Sequence, residues 1–176
     1  MTGRSFLAYA ALSALVIGAI VGVWTRLPIR VWYQDGRPTR FGKLTNRAMG
    51  HYAALGVPSF SMVTLDVPGR KSGRMTSTVL VIARHAGDDY LVSMLGEGVD
   101  WVRNSRAAGG RVVIRHGRAQ ACQLEEVDVE KRGPILRAYL QRSPGGRPHF
   151  PIGPDATVEA FAEIAARYPV FRVTPV

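Results

Sequence analysis

The chain is poor in the residues that build most metal and nucleophile chemistry. It has one cysteine, Cys122, among 176 residues, so it cannot form an internal disulfide. That cysteine reads most simply as a small buried hydrophobe in a strand. The four histidines, His51, His85, His116 and His149, are scattered along the chain. None stands at metal-ligand spacing from Cys122 or from a pair of carboxylates, which excludes a zinc site. There is no Gly-x-Ser-x-Gly elbow to carry a serine nucleophile and no glycine-rich dinucleotide fingerprint after a strand. Internal repeats and low-complexity tracts are also lacking. Acid is scarce: 13 Asp and Glu face 23 Lys and Arg, a net charge of +10. That imbalance implies an anionic partner, whether a phosphorylated cofactor, an acidic membrane surface or nucleic acid.

Hydrophobic residues make up 47% of the sequence, the share of a folded protein, and the length suits one domain. Residues 5–24 carry no charge and are almost wholly apolar. Twenty helical residues reach roughly 30 Å, the hydrocarbon thickness of a bilayer. This stretch is expected to be an uncleaved membrane helix (residues 1–24) ending at the interfacial Trp24. A cleaved signal peptide is the rival, but no small-x-small cleavage site follows the run. Arg26, Arg30, Arg37, Arg40 and Lys43 follow the helix, whereas Arg4 alone precedes it. The positive-inside rule then predicts a single-pass cell-membrane protein whose body faces the cytoplasm, with anionic lipid among its contacts. Residues 25–40 read as a juxtamembrane linker.

The body, residues 41–176, alternates short β-forming runs with turn signals. Phe41 to Leu55 has helical spacing and is stopped by Gly56 and Pro58. Strands are expected at Phe60 to Val67, Thr76 to Arg84 and Tyr90 to Leu95, with a turn at Gly87-Asp88-Asp89. After Gly96-Glu97-Gly98 comes a short helix, Val99 to Ala108. A hairpin around Gly117 joins Arg111 to His116 and Arg118 to Val127. Glu130 to Gln141 and Ala156 to Tyr168 read as amphipathic helices, separated by a proline- and glycine-rich loop. Val170 to Val173 is a last strand. Six strands joined mainly by tight turns predict an antiparallel sheet closed into a small barrel, with peripheral helices.

Between the first two strands of the body lies Pro68-Gly69-Arg70-Lys71-Ser72-Gly73-Arg74. Three cations fall within five residues. The flanking glycines free the backbone to aim N–H groups at one point, and both features suit a phosphate. The alternative is a solvated basic hairpin. From Pro68 to Arg118 nine basic residues face four acidic ones. Nucleic acid is not expected: only Tyr90 and Trp101 interleave with these cations, too few aromatics to stack bases.

The run Gly69 to Arg74, followed by Val79-Leu80 on a strand and then by Trp101-Val102-Arg103-Asn104 and Arg106-Ala107-Ala108, resembles the deazaflavin-dependent nitroreductase family. The resemblance extends from about Arg40 to the tail Ala165 to Arg172. It implies the split β-barrel fold and the cofactor coenzyme F420, with flavin mononucleotide as the lesser alternative. It further implies that Arg70, Lys71, Ser72, Gly73 and Arg74 hold the cofactor phosphate and that the ring lies over the barrel strands. Candidate ring contacts are the backbone groups of Val79, Leu80 and Val81, and those of Ser93, Met94, Leu95 and Gly96. Trp101 is a candidate pocket wall and Asn104 a further cofactor contact. A homodimer is compatible with the family.

The implied activity is hydride transfer from reduced coenzyme F420 to a small hydrophobic acceptor, a quinone, enone or nitro compound. Such transfer asks the protein to orient the ring and exclude water, not to supply an acid or base, so no catalytic residue is assigned. Met75, Thr76 and Val79 stand where the family has proline, arginine and proline. A non-catalytic barrel that binds a deazaflavin, haem or lipid-like ligand therefore remains the alternative.

Overall fold

The computed structural model describes residues 62–176 together with two short strands, β1 (Tyr33–Gln34) and β2 (Arg37–Pro38), which pair antiparallel. The stretch read as a linker thus contains a small hairpin. The expected membrane helix, the Phe41 to Leu55 helix and the first residues of the Phe60 strand lie outside the described residues. Among the described residues no helix is long and apolar enough to cross a membrane.

Six strands form a closed antiparallel barrel: β3 (Met62–Pro68), β4 (Met75–His85), β5 (Asp88–Val92), β6 (Arg111–His116), β7 (Arg118–Glu126) and β8 (Val170–Pro175). Their order around the barrel is β3-β4-β5-β8-β7-β6. Closure leaves no full-length edge strand to template aggregation. Side-chain alternation explains the register. Val63, Leu65 and Val67 of β3 point inward with Val112 and Ile114 of β6 and Cys122 and Leu124 of β7, building the barrel core. Cys122 is buried there, and burial pushes its thiol above the ordinary range.

Among the described residues three α-helices decorate the barrel: α1 (Asp100–Ala107), α2 (Arg132–Arg142) and α3 (Val158–Ile164). Helix α2 presents Ile135, Leu136, Tyr139 and Leu140 to a second core, which it shares with Ala83 and Val92 on the outer face of the sheet. Phe150 stacks on Tyr168 there at 4.2 Å between ring centroids. Gly133 lets α2 approach α3 closely: a Cβ at that position would stand 3.0 Å from the Val158 carbonyl oxygen.

Several boundaries differ from expectation. The β4–β5 turn is Ala86-Gly87, both with positive φ (50° and 89°), and Asp88 and Asp89 belong to β5. A two-residue turn of that handedness matches strand twist, so the aspartates are free to pair across the hairpin. Arg84 holds Asp89 at 2.8 Å there. Strand β5 ends at Val92, so Ser93, Met94 and Leu95 lie beyond it instead of within it. The last helix is shorter than its apolar pattern: α3 ends at Ile164 and Ala165–Arg167 tighten into a 3-10 turn. Strand β8 runs two residues longer, to Pro175, because β7 pairs with it as far as Cys122.

Candidate functional site

The basic loop Gly69–Arg74 joins β3 to β4, and its backbone is closed on itself. The Gly69 N–H donates to the Arg74 carbonyl at 2.8 Å, and the Ser72 and Gly73 N–H groups both donate to the Gly69 carbonyl, at 3.2 and 2.8 Å. The Arg74 N–H donates to Ser72 Oγ at 3.3 Å. Gly73 sits at φ 64°, a conformation side chains resist. The Arg70 N–H donates out of the loop, to Asn104 Oδ1 at 3.2 Å. Five of the six loop N–H groups are therefore already hydrogen-bonded. The expectation that these groups converge on an anion is corrected: the tight turn that the glycines permit uses the N–H groups to hold itself.

Charge remains on the side chains. Lys71 and Arg74 are exposed, and neither side chain has a partner among the described residues. Arg70 is different. Its Nη1 donates to Asn104 Oδ1 at 2.8 Å and to Asp100 Oδ1 at 3.0 Å. Asp100 and Asn104 stand four residues apart on α1, hence on one helix face. Asn104 is 3% exposed, and its Nδ2 also donates to Thr76 Oγ1 at 3.4 Å, just past the far end of the loop. Thr76 Oγ1 in turn donates to the Val67 carbonyl at 2.9 Å. One amide thus ties both ends of the basic loop to α1.

Helix α1 is itself anchored at its other end. Arg106 makes a bidentate pair with Glu126 of β7, at 2.8 and 2.7 Å. Glu126 also accepts from the buried Arg132 at 3.1 Å. The hydrogen bond from Arg106, opposed by burial, holds the Glu126 carboxyl below the usual carboxylate range. The same partner raises the Arg106 guanidinium. Asp100 in the first turn and Arg106 in the last also complement the helix dipole.

Strand β4 runs from the loop into the barrel wall. It pairs with β3 from Met75 to Val81, but with β5 only from Ile82 to His85. Along Met75 to Val81 its β5-side edge therefore has no strand partner among the described residues. Val79 and Val81 lie on the outer face, Leu80 packs inward, and all three are half-buried. The Ser93–Gly96 segment leaves β5 where this uncovered edge begins.

Part of that segment's polar groups is already occupied; the Met94 and Leu95 N–H groups have no partner among the described residues. Ser93 is 1% exposed; its N–H donates to the Pro169 carbonyl at 2.9 Å and its Oγ to the Gly96 carbonyl at 2.6 Å. Gly96 has φ 80°, and a Cβ there would stand 3.3 Å from the Arg167 carbonyl oxygen. Met94 Sδ accepts from the Tyr139 hydroxyl at 3.5 Å, and Leu95 packs on the barrel core. Trp101 is buried in that core, edge-on to Phe171 at 5.5 Å.

The structure thus brings Arg70 to Arg74 together with Asn104, and sets Ser93 to Gly96 beside β4. Asp100 and Thr76, which complete the brace, were missed in the sequence. The four-residue spacing of Asp100 and Asn104 was the available signal. Among the described residues no group of His, Cys, Asp and Glu could hold a metal ion.

No protein-family model matches this chain, and no curated protein matches it. Among solved structures, it is similar to a protein of unknown function from Agrobacterium tumefaciens, with TM-score 0.50 and 12% identity over 85% of this chain and 59% of that one. Looser likenesses include an F420-H2 dependent reductase (TM-score 0.43, 19% identity, 65% of this chain and 94% of that one). Another is a putative pyridoxamine 5′-phosphate oxidase from Listeria innocua (TM-score 0.45, 10% identity, 71% and 90%). The first is a likeness of fold. Fold and topology define the class, a six-stranded antiparallel β-barrel with peripheral helices.

Proposed function

We propose that this barrel is an oxidoreductase that binds coenzyme F420 and passes a hydride to a hydrophobic acceptor such as a quinone, enone or nitro compound. One observation carries the reading. Two exposed cations, Lys71 and Arg74, lack partners among the described residues on a braced loop, next to a strand edge that no described strand pairs from Met75 to Val81. The fit to the group is good on both counts. An anionic arm would take charge-assisted hydrogen bonds from Lys71 and Arg74. A flat polar ring would find backbone groups along β4 that no described strand pairs. When bound, coenzyme F420 supplies the hydride-bearing deazaflavin; the residues here orient it and shield it from water.

The apolar run at residues 5–24 is read as a membrane anchor with the barrel on the cytoplasmic side, which would favour a lipid-soluble quinone as acceptor. Carbonate extraction of membranes with the full chain tests this: release into the wash would reject the anchor.

The function is tested with purified full chain. It should quench deazaflavin fluorescence on binding and oxidise reduced coenzyme F420 when menadione is added. Tighter binding of flavin mononucleotide than of coenzyme F420 would replace the cofactor. The substitution of family prolines by Met75 and Val79 favours a second reading, a carrier barrel. Binding without turnover across a panel of quinones and nitroaromatics would establish that reading.

A further inference from the structure

We propose that Asn104 and Asp100 set the anion affinity of the basic loop in opposite directions without themselves holding the anion. Asn104 is a positioning residue that raises it, and Asp100 is a brake that lowers it. The inference rests on the reading of the loop as the cofactor's anion site.

Both residues act through Arg70, whose Nη1 lies between them at 2.8 and 3.0 Å. Asn104 is buried, and each of its side-chain polar atoms is occupied: Oδ1 by the backbone and side chain of Arg70, Nδ2 by Thr76. It has little left to offer a ligand, but it fixes where the loop stands. With Lys71 and Arg74 presented by a loop closed on its own backbone, that placement decides where the two cations can reach. Fixing donors before the ligand arrives lowers the ordering entropy of binding.

Asp100 completes the brace only at the tip of the Arg70 side chain, while the ties to the Arg70 N–H and to Thr76 both belong to Asn104, so Asp100 bears on charge more than on placement. Its side chain is 55% exposed, and its carboxylate sits on the cation nearest the loop's anchor. An arriving anion meets Arg70 already partly neutralised, and meets a like charge beside it. Removing that charge while keeping a hydrogen-bonding amide should strengthen anion binding. A purely structural role for both residues predicts the contrary, that each substitution weakens binding.

The experiment uses the full chain in mild detergent with two probes, oxidised coenzyme F420 and inorganic pyrophosphate, and follows amide hydrogen exchange at Arg70 and Gly69 in parallel. Asn104→Leu should weaken both probes by about ten- to a hundredfold, the scale of hydrogen bonds to a charged group, and speed Arg70 exchange. Asp100→Asn should tighten both by about three- to fivefold at low salt, fading as salt screens the charge, with exchange unchanged. Asn104→Asp keeps the acceptor for Arg70 but adds a second negative charge. It should protect the Arg70 amide yet still weaken both probes. Weaker or unchanged binding in Asp100→Asn, or unchanged binding in Asn104→Leu, overturns the inference, as does failure of the wild type to bind either probe. If the wild type takes pyrophosphate with this pattern of opposite effects but refuses coenzyme F420, the inference stands and the cofactor reading falls.

Discussion

Two glycine-bearing bends, one before β4 and one after β5, use the same chemistry to different ends. In Ser93–Gly96 the serine hydroxyl, the serine N–H and the Gly96 N–H are all bonded to carbonyls of the protein, and the turn is packed against Arg167 and Pro169. In Gly69–Arg74 five of the six N–H groups are committed, yet the cationic side chains of Lys71 and Arg74 are exposed, with no partner among the described residues. A bend whose serine is spent inward on both its N–H and its hydroxyl contributes stability and shape. One that closes most of its backbone but leaves cationic side chains exposed holds charge where an anion can reach it, which is what an anion site needs.

The contrast makes its largest prediction at the basic loop. Lys71→Ala with Arg74→Ala should weaken coenzyme F420 binding by about 1.5–3 kcal/mol for each charged hydrogen bond removed, with the thermal midpoint unmoved. Fluorescence titration and a melting curve measure the two. A large drop in the melting temperature would show that these cations stabilise the fold.

Ser93→Ala should do the reverse. It removes a buried hydrogen bond and leaves the Gly96 carbonyl without that donor, at about 1–3 kcal/mol in urea unfolding, with cofactor affinity unchanged. Loss of cofactor affinity at equal stability would return Ser93 to the binding site.

The glycines sharpen the comparison. Gly73 and Gly96 both have positive φ, so alanine at either should destabilise by about 1–2 kcal/mol. Only at Gly96 would the new Cβ also crowd a carbonyl, whereas Gly73 faces open space. Gly96→Ala should therefore be the more damaging in the same unfolding assay; the opposite order would mean the 93–96 turn is the looser one.

The smallest expected effect is in pH dependence. Glu126 fastens α1, which carries the loop's brace, to β7. Its carboxyl is held low in the fold, so its contribution is present above the ordinary value near 4.5 and fades as pH falls through the depressed one. Glu126→Gln should flatten the acid limb of a stability-against-pH curve relative to wild type. An unchanged limb would place the acid sensitivity in other carboxylates.

The number of barrel strands and the positions of the helices after residue 99 were legible because alternation and amphipathic spacing report directly on which side chains face a core. Val63, Leu65 and Val67 on β3, and Ile135, Leu136, Tyr139 and Leu140 on α2, are clear examples. Strand ends were less legible. Ser93-Met94-Leu95 looks as β-compatible as the strand before it, and only the bond from Ser93 Oγ to Gly96 shows why the chain turns there. Residue types revealed the cations of the site. They could not reveal which were already paired, since Arg70 meets Asp100 and Asn104 across 30 and 34 residues. Nor could they show that the loop's N–H groups close the turn, because Gly-x-x-x-Gly permits an inward-facing loop as readily as an anion nest.

A structure of the protein bound to coenzyme F420 tests the central claim most directly. The account predicts anionic oxygens of the cofactor about 2.7–2.9 Å from Lys71 Nζ and the Arg74 guanidinium, with the ring along β4 between Met75 and Val81. A cofactor seated elsewhere, with Lys71 and Arg74 still facing only solvent, would contradict it.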